Sequence, residues 1–131
     1  MITNKTATLF AMPLAEAMQH IKDYRDMMHD HFKQHRRNIL KGYLIHSEEL
    51  LEAMGITNVT PKYPLVRVYI GKIKGDKTVD MKLFITPVDE NGKDVILYGP
   101  TDETGTEGPY VLDLNAPCPN ACDPSSPLFQ A

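Results

Sequence analysis

Between Pro13 and Gly42 the chain contains neither proline nor glycine. Apolar side chains recur there at Leu14, Met18, Ile21, Met28 and Phe32, and Ala17, Tyr24 and Met27 widen the stripe. Steps of three and four residues are those of an amphipathic helix. Pro13 suits its first turn, where the missing N–H costs nothing. Glu16 near the start, and Lys33, Arg36, Arg37 and Lys41 near the end, complement the helix dipole, and Gly42 suits the stop. Arg25 is the one charge on the stripe, where a long side chain can snorkel.

An unbroken helix over 13–41 would be ~43 Å long at 1.5 Å per residue. A compact chain of 131 residues has a diameter near ~36 Å. Such a helix overhangs its own domain, and its stripe calls for a second surface. The alternative is a break near residues 29–34, which gives two ordinary helices.

The chain continues into shorter elements. Ser47 ahead of Glu48 and Glu49 predicts a helix start, Leu50, Leu51 and Met54 supply an apolar side, and Gly55 ends it. Val66, Val68 and Ile70 alternate with Arg67, Tyr69 and Gly71; Val79, Met81, Leu83 and Ile85 alternate with Asp80, Lys82, Phe84 and Thr86. Period two predicts strands with one buried face. Gly75-Asp76 suits the turn between them, Asp89-Glu90-Asn91-Gly92 predicts the next turn, and residues 95–98 a third strand. The expected fold class is α+β. A long N-terminal helix and a short second one pack on the apolar face of a small antiparallel β-meander. An irregular proline-rich tail follows. One domain over 1–131 is expected, with an arm at 1–12, a body at 13–98 and a tail at 99–131.

The formal charge of −3 hides a split. Residues 1–88 carry 13 bases and 9 acids, whereas residues 89–131 carry one base, Lys93, and eight acids. Seven of the ten prolines fall at or after Pro87. The balance argues against a dedicated nucleic-acid binder, and the basic run at 33–41 lacks the interleaved aromatics of single-strand binders. No apolar run approaches the ~20 residues of a membrane span. Lys5, residues 7–15 and Ala15-Glu16-Ala17 weakly mimic a secretory signal. The helical pattern runs through the would-be cleavage point, so the start reads as an arm with Leu9 and Phe10 packed on the body. The expected location is the cytoplasm.

Candidate chemistry is sparse. His31 and His35 are four apart and would share a helix face as weak metal candidates, but no HExxH pattern surrounds them. Asp89-Glu90-Asn91-Gly92-Lys93-Asp94 has glycine at the wrong position for a calcium loop and reads as a hairpin turn. Cys118 and Cys122 have neither zinc-site nor CxxC spacing. They read as structural thiols packed in a turn or as a local disulfide. The sequence also lacks a glycine-rich phosphate loop and a GxSxG motif.

Leu14-Ala-Glu-Ala17, Tyr24-Arg25, Arg67-Val-Tyr-Ile-Gly71, Val88-Asp-Glu-Asn-Gly-Lys-Asp94 and Cys118-Pro-Asn-Ala-Cys122 ahead of Pro127-Leu128 occur in one order across most of residues 13–128. That order resembles a group of small uncharacterised bacterial proteins of similar length. The group's tail has two prolines after the first cysteine where this chain has Pro119-Asn120, and the basic run at 33–41 is extra. The resemblance implies a shared fold and carries no catalytic role, so no cofactor is expected.

The functional expectation is a non-enzymatic interaction or assembly protein that self-associates or binds another protein. Leu14, Met18, Ile21, Met28 and Phe32, with Leu128 and Phe129 of the tail, would make the contacts. The alternative is a small thiol- or metal-dependent enzyme or sensor built on Cys118 and Cys122, with His31 and His35 or Asp89 and Asp94 nearby.

Overall fold

A computed structural model describes residues 10–73, 81–113 and 122–130. Its elements are β1 (Ala11–Pro13), α1 (Leu14–Asp30), β2 (Gly42–His46), α2 (Ser47–Ala53), β3 (Leu65–Lys72), β4 (Met81–Val88), β5 (Leu97–Pro100), β6 (Glu107–Leu112) and a one-turn α3 (Pro127–Gln130). The architecture is α+β and richer in sheet than the sequence suggests. All six strands form one antiparallel sheet in the order β1-β6-β4-β3-β2, with β5 also paired to β6.

The first helix stops at Asp30, so it is 17 residues long and about 26 Å at 1.5 Å per residue. It does not overhang the domain. The stop uses Lys33 at φ 56°, a left-handed conformation that glycine or asparagine usually fills. His31 N–H donates to the Met27 carbonyl and Gln34 N–H to the Met28 carbonyl, which satisfies the last turn. The chain then reverses through a 3₁₀ turn at Arg36–Asn38. Tyr24 Oη–H, reaching from α1, donates to the Leu40 carbonyl at 2.7 Å and ties the return segment down.

Gly42 is a strand residue and not a helix stop. A Cβ there would run into the Val68 carbonyl of β3, so the pairing of β2 with β3 needs glycine at this position. Gly55 ends α2 as expected: at φ 78° it donates its N–H to the Glu52 carbonyl while Ile56 N–H reaches the Leu51 carbonyl. The turn after β4 is also as expected. Asp89 Oδ1 accepts from the N–H groups of Asn91 and Lys93, and Gly92 has φ 80°. The hairpin turn expected at Gly75-Asp76 lies outside the described residues.

The third strand is Leu97–Pro100, two residues later than expected, and the edge strands β1 and β2 are additions; the tail expected to be irregular from residue 99 instead supplies β6, which pairs with β1, β4 and β5. Phe10 belongs to the arm's contact with the sheet, its carbonyl accepting from Asp113 N–H at 2.8 Å. Leu9 lies outside the described residues.

The helix covers the other face of the meander from the one expected. Register pairs Tyr69 with Phe84, Arg67 with Thr86 and Leu65 with Val88. This is the face under α1, where Ala17, Phe84 and Val111 form the buried core with Met12, Leu14, Ile21 and Tyr69 packed around it. The face carrying Val66, Val68, Ile70, Leu83 and Ile85 lies opposite, and Val68 is buried there. Phe84 is 1% exposed, whereas its neighbour Leu83 is 40% exposed. The physical reason is Gly71. With no side chain there, Phe84 and the backbone of His20 approach β3 directly, and the His20 ring stacks on Phe84 at 6.1 Å. That close approach seats the helix.

Candidate functional site

Residues 14, 17, 18, 21, 22, 25 and 26 lie at helical spacing along one side of α1. They form one wall of a groove of about 590 Å³ between the helix and the sheet, a volume typical of small-molecule sites. Tyr69, Phe84, Thr86 and Val111 of the sheet face it, and Asp94 and Ile96 close the far side. The wall spans about 18 Å along the helix axis. It changes character along that length: Leu14, Ala17, Met18 and Ile21 are apolar, and Lys22, Arg25 and Asp26 are charged, with Arg36 of the 3₁₀ turn beside them.

The polar groups of the groove are already engaged, with one exception. Asp26 accepts from Lys22 Nζ at 2.6 Å and from Arg36 Nη1 at 3.0 Å. Those two hydrogen bonds hold its carboxyl below the usual carboxylate range. Asp94 accepts from Arg67 Nη1 at 2.5 Å and from the Tyr69 hydroxyl, while Arg67 Nη2 also donates to the Gly92 carbonyl at 3.2 Å. Burial pushes the Tyr69 hydroxyl above its ordinary value, and the bond to Asp94 adds to the rise. Thr86 is buried and donates its hydroxyl to the Val95 carbonyl at 2.8 Å.

Arg25 is the exception. Its Nε is buried and has no hydrogen-bond partner. Among the described residues neither carboxylate of the groove reaches it: Asp26 is held by Lys22 and Arg36, and Asp94 by Arg67 and Tyr69. Four cations, Lys22, Arg25, Arg36 and Arg67, therefore stand against two carboxylates around the groove, and Arg25 is left over at its charged end.

The residues singled out in the sequence are dispersed. Leu14 and Ile21 pack on the core and line the groove. Met18 lines it too but is 59% exposed. Met28 is half-buried, and Phe32 lies past the end of α1 at 62% exposure, so the expected stripe is not one partner-facing surface. Leu128 on α3 is 88% exposed; the Phe129 side chain lies outside the described residues. His31 caps the end of α1, whereas His35 starts the 3₁₀ turn and accepts from Arg37 N–H. They share no helix face, because the helix has ended between them. Among the described residues no cluster of three or more metal-ligating side chains occurs. Cys122 is disulfide-bonded, and Cys118 lies outside the described residues. Among the described residues no helix is long and apolar enough to cross a membrane.

Tyr69, Thr86 and Ile96 were missed as site residues, since strand and turn patterns do not reveal which side a helix will cover. Arg25 left a signal as the one charge on an apolar stripe. Comparison with protein-family models, curated proteins and solved structures finds no match.

Proposed function

We propose that this is a non-enzymatic binding protein whose ligand lies along α1 in the groove between helix and sheet. The observation that carries this reading is the pairing of an apolar channel with a buried, unpartnered guanidinium atom. A buried donor without an acceptor costs about 1–3 kcal/mol, and among the described residues Arg25 is the groove cation that no carboxylate compensates. Sites of this kind are mostly apolar with a few placed polar groups.

Amide chemical-shift mapping tests the reading. On titration with a medium-chain amphiphile, the shifted residues should cluster at Ile21, Arg25, Phe84 and Val111. Shifts confined to β2 or to α3, or none at all, would overturn it.

The expected self-association keeps a place on a different surface. With α1 shortened, its support moves to edge strand β2, whose Tyr43 and Leu44 are more than half exposed beside exposed Leu40. Edge strands with apolar side chains invite pairing with a second copy. Light scattering across micromolar concentrations tests this second reading: a dimer in the native chain that becomes monomeric in Leu44→Lys supports it, and a native monomer throughout removes it. The resemblance to a group of small bacterial proteins also stays a proposal about shared fold. The cytoplasmic location stays a proposal, and a disulfide at Cys122 is more common in oxidising compartments.

A further inference from the structure

The groove's charge and its polarity gradient narrow the ligand class. We infer that it takes a monocarboxylate with an apolar body, tail along residues 14–21 and carboxylate on Arg25; this rests on the groove being the binding site. The carboxylate end is set by electrostatics. Asp26 is compensated by Lys22 and Arg36, and Asp94 by Arg67 and Tyr69, so a cationic ligand meets no uncompensated acid in the groove. An anionic ligand meets Arg25, a groove-lining cation that neither carboxylate of the groove pairs with among the described residues. A planar guanidinium matches a carboxylate in geometry as well as charge.

The apolar body follows from the other end. Leu14, Ala17, Met18 and Ile21 offer the helix side, and Phe84 and Val111 the sheet side, with no charge among them. A small hydrophilic acid would leave this stretch unfilled. A dianion would bring its second charge into it, at a desolvation cost with no partner to offset it.

The test uses the full chain and three probes of one length, each below its micelle threshold: dodecanoate, dodecan-1-ol and dodecylammonium. Calorimetric titration should give the order dodecanoate, then dodecanol, then dodecylammonium, with about tenfold or more between the first two, as for one charge-assisted hydrogen bond. In Arg25→Met the preference for carboxylate over alcohol should collapse while alcohol binding persists. Equal binding of acid and alcohol by the native chain, or tightest binding of the ammonium, overturns the carboxylate assignment and leaves the groove reading standing. Binding of none of the three overturns the groove reading itself. The native-chain series decides the matter even where Arg25→Met does not fold.

Discussion

Arg67 on β3 holds Asp94 at 2.5 Å across 27 positions of sequence, and so locks the segment after the Gly92 turn onto the sheet. Tyr69, two residues further along β3, donates to the same carboxylate. One acid thus anchors the far wall of the groove to the strand opposite α1, and Ile96 is carried into place with it. The pair is about three-quarters buried, so the interaction is worth more than a surface ion pair.

Replacing Asp94 with alanine leaves Arg67 and the Tyr69 hydroxyl without their acceptor. We expect a loss of about 1–3 kcal/mol in urea unfolding. Tyr69→Phe should cost less, since Arg67 keeps its partner. Additive losses in the Asp94→Ala, Tyr69→Phe double variant would contradict a shared network.

Two glycines should respond very differently from a third. Gly71→Ala drives a methyl group into the Phe84 ring, and overpacking of this kind costs about 1–3 kcal/mol. Gly42→Ala meets the backbone carbonyl of Val68, which cannot swing aside, so it should be the more damaging of the two. Gly105→Ala meets nothing within 4 Å and bears only its left-handed φ of 82°, a strain of about 1–2 kcal/mol. Thermal melts of the three variants give the ranking; Gly105→Ala as the least stable would refute it.

Two tyrosines should titrate late. Burial raises Tyr69, helped by Asp94, and burial raises Tyr24, helped by Tyr43. A folded value raised above the ordinary 10.0 favours the protonated form in the native state. The associated stability is therefore fully present below pH 10 and is lost as pH rises through the folded values. Tyrosinate absorbance should show a late component among the six tyrosines, and Tyr69→Phe should shrink it. A single transition at the ordinary value would speak against the burial described here.

Asp26 behaves in the opposite sense. Hydrogen bonds from Lys22 and Arg36 depress it, so its contribution is present above the unfolded value of 3.8 and is lost as pH falls through the lower folded value. Asp26→Asn should melt slightly earlier than the native chain at neutral pH, and the gap should close in strong acid. The effect is small because the group is solvent-screened. A gap that widens on acidification would reverse the sign.

The disulfide at Cys122 implies that the unreduced protein gives no thiol titre under denaturing conditions and two equivalents after reduction. A thiol titre before reduction would remove it.

Turn chemistry was the most legible layer. Gly55 and Gly92 do what glycine next to acidic or capping residues does, because a left-handed residue is a local requirement with a local solution. The end of α1 was illegible for the same reason inverted: its left-handed residue is Lys33, which carries no such mark, and basic residues beyond it resembled dipole compensation. Gly42 was misread because a glycine after a helical pattern and a glycine under a neighbouring strand look alike in one dimension. Arg25 stood out in the stripe, but its lack of a partner depends on Asp26 and Asp94 being occupied from elsewhere in the chain.

The amino-acid pattern by itself determined that a helix starts at residue 14, that residues 66–71 and 81–86 lie in strands, and where the turns at Gly55 and Gly92 fall, because these follow from local spacing and backbone preference. Tertiary structure decided which face of the meander the helix covers and hence that a groove exists. Both faces of β3 and β4 are apolar enough to be buried, and alternation cannot choose between them. The choice rests on Gly71 and Phe84, thirteen positions apart, which let helix backbone and sheet approach closely.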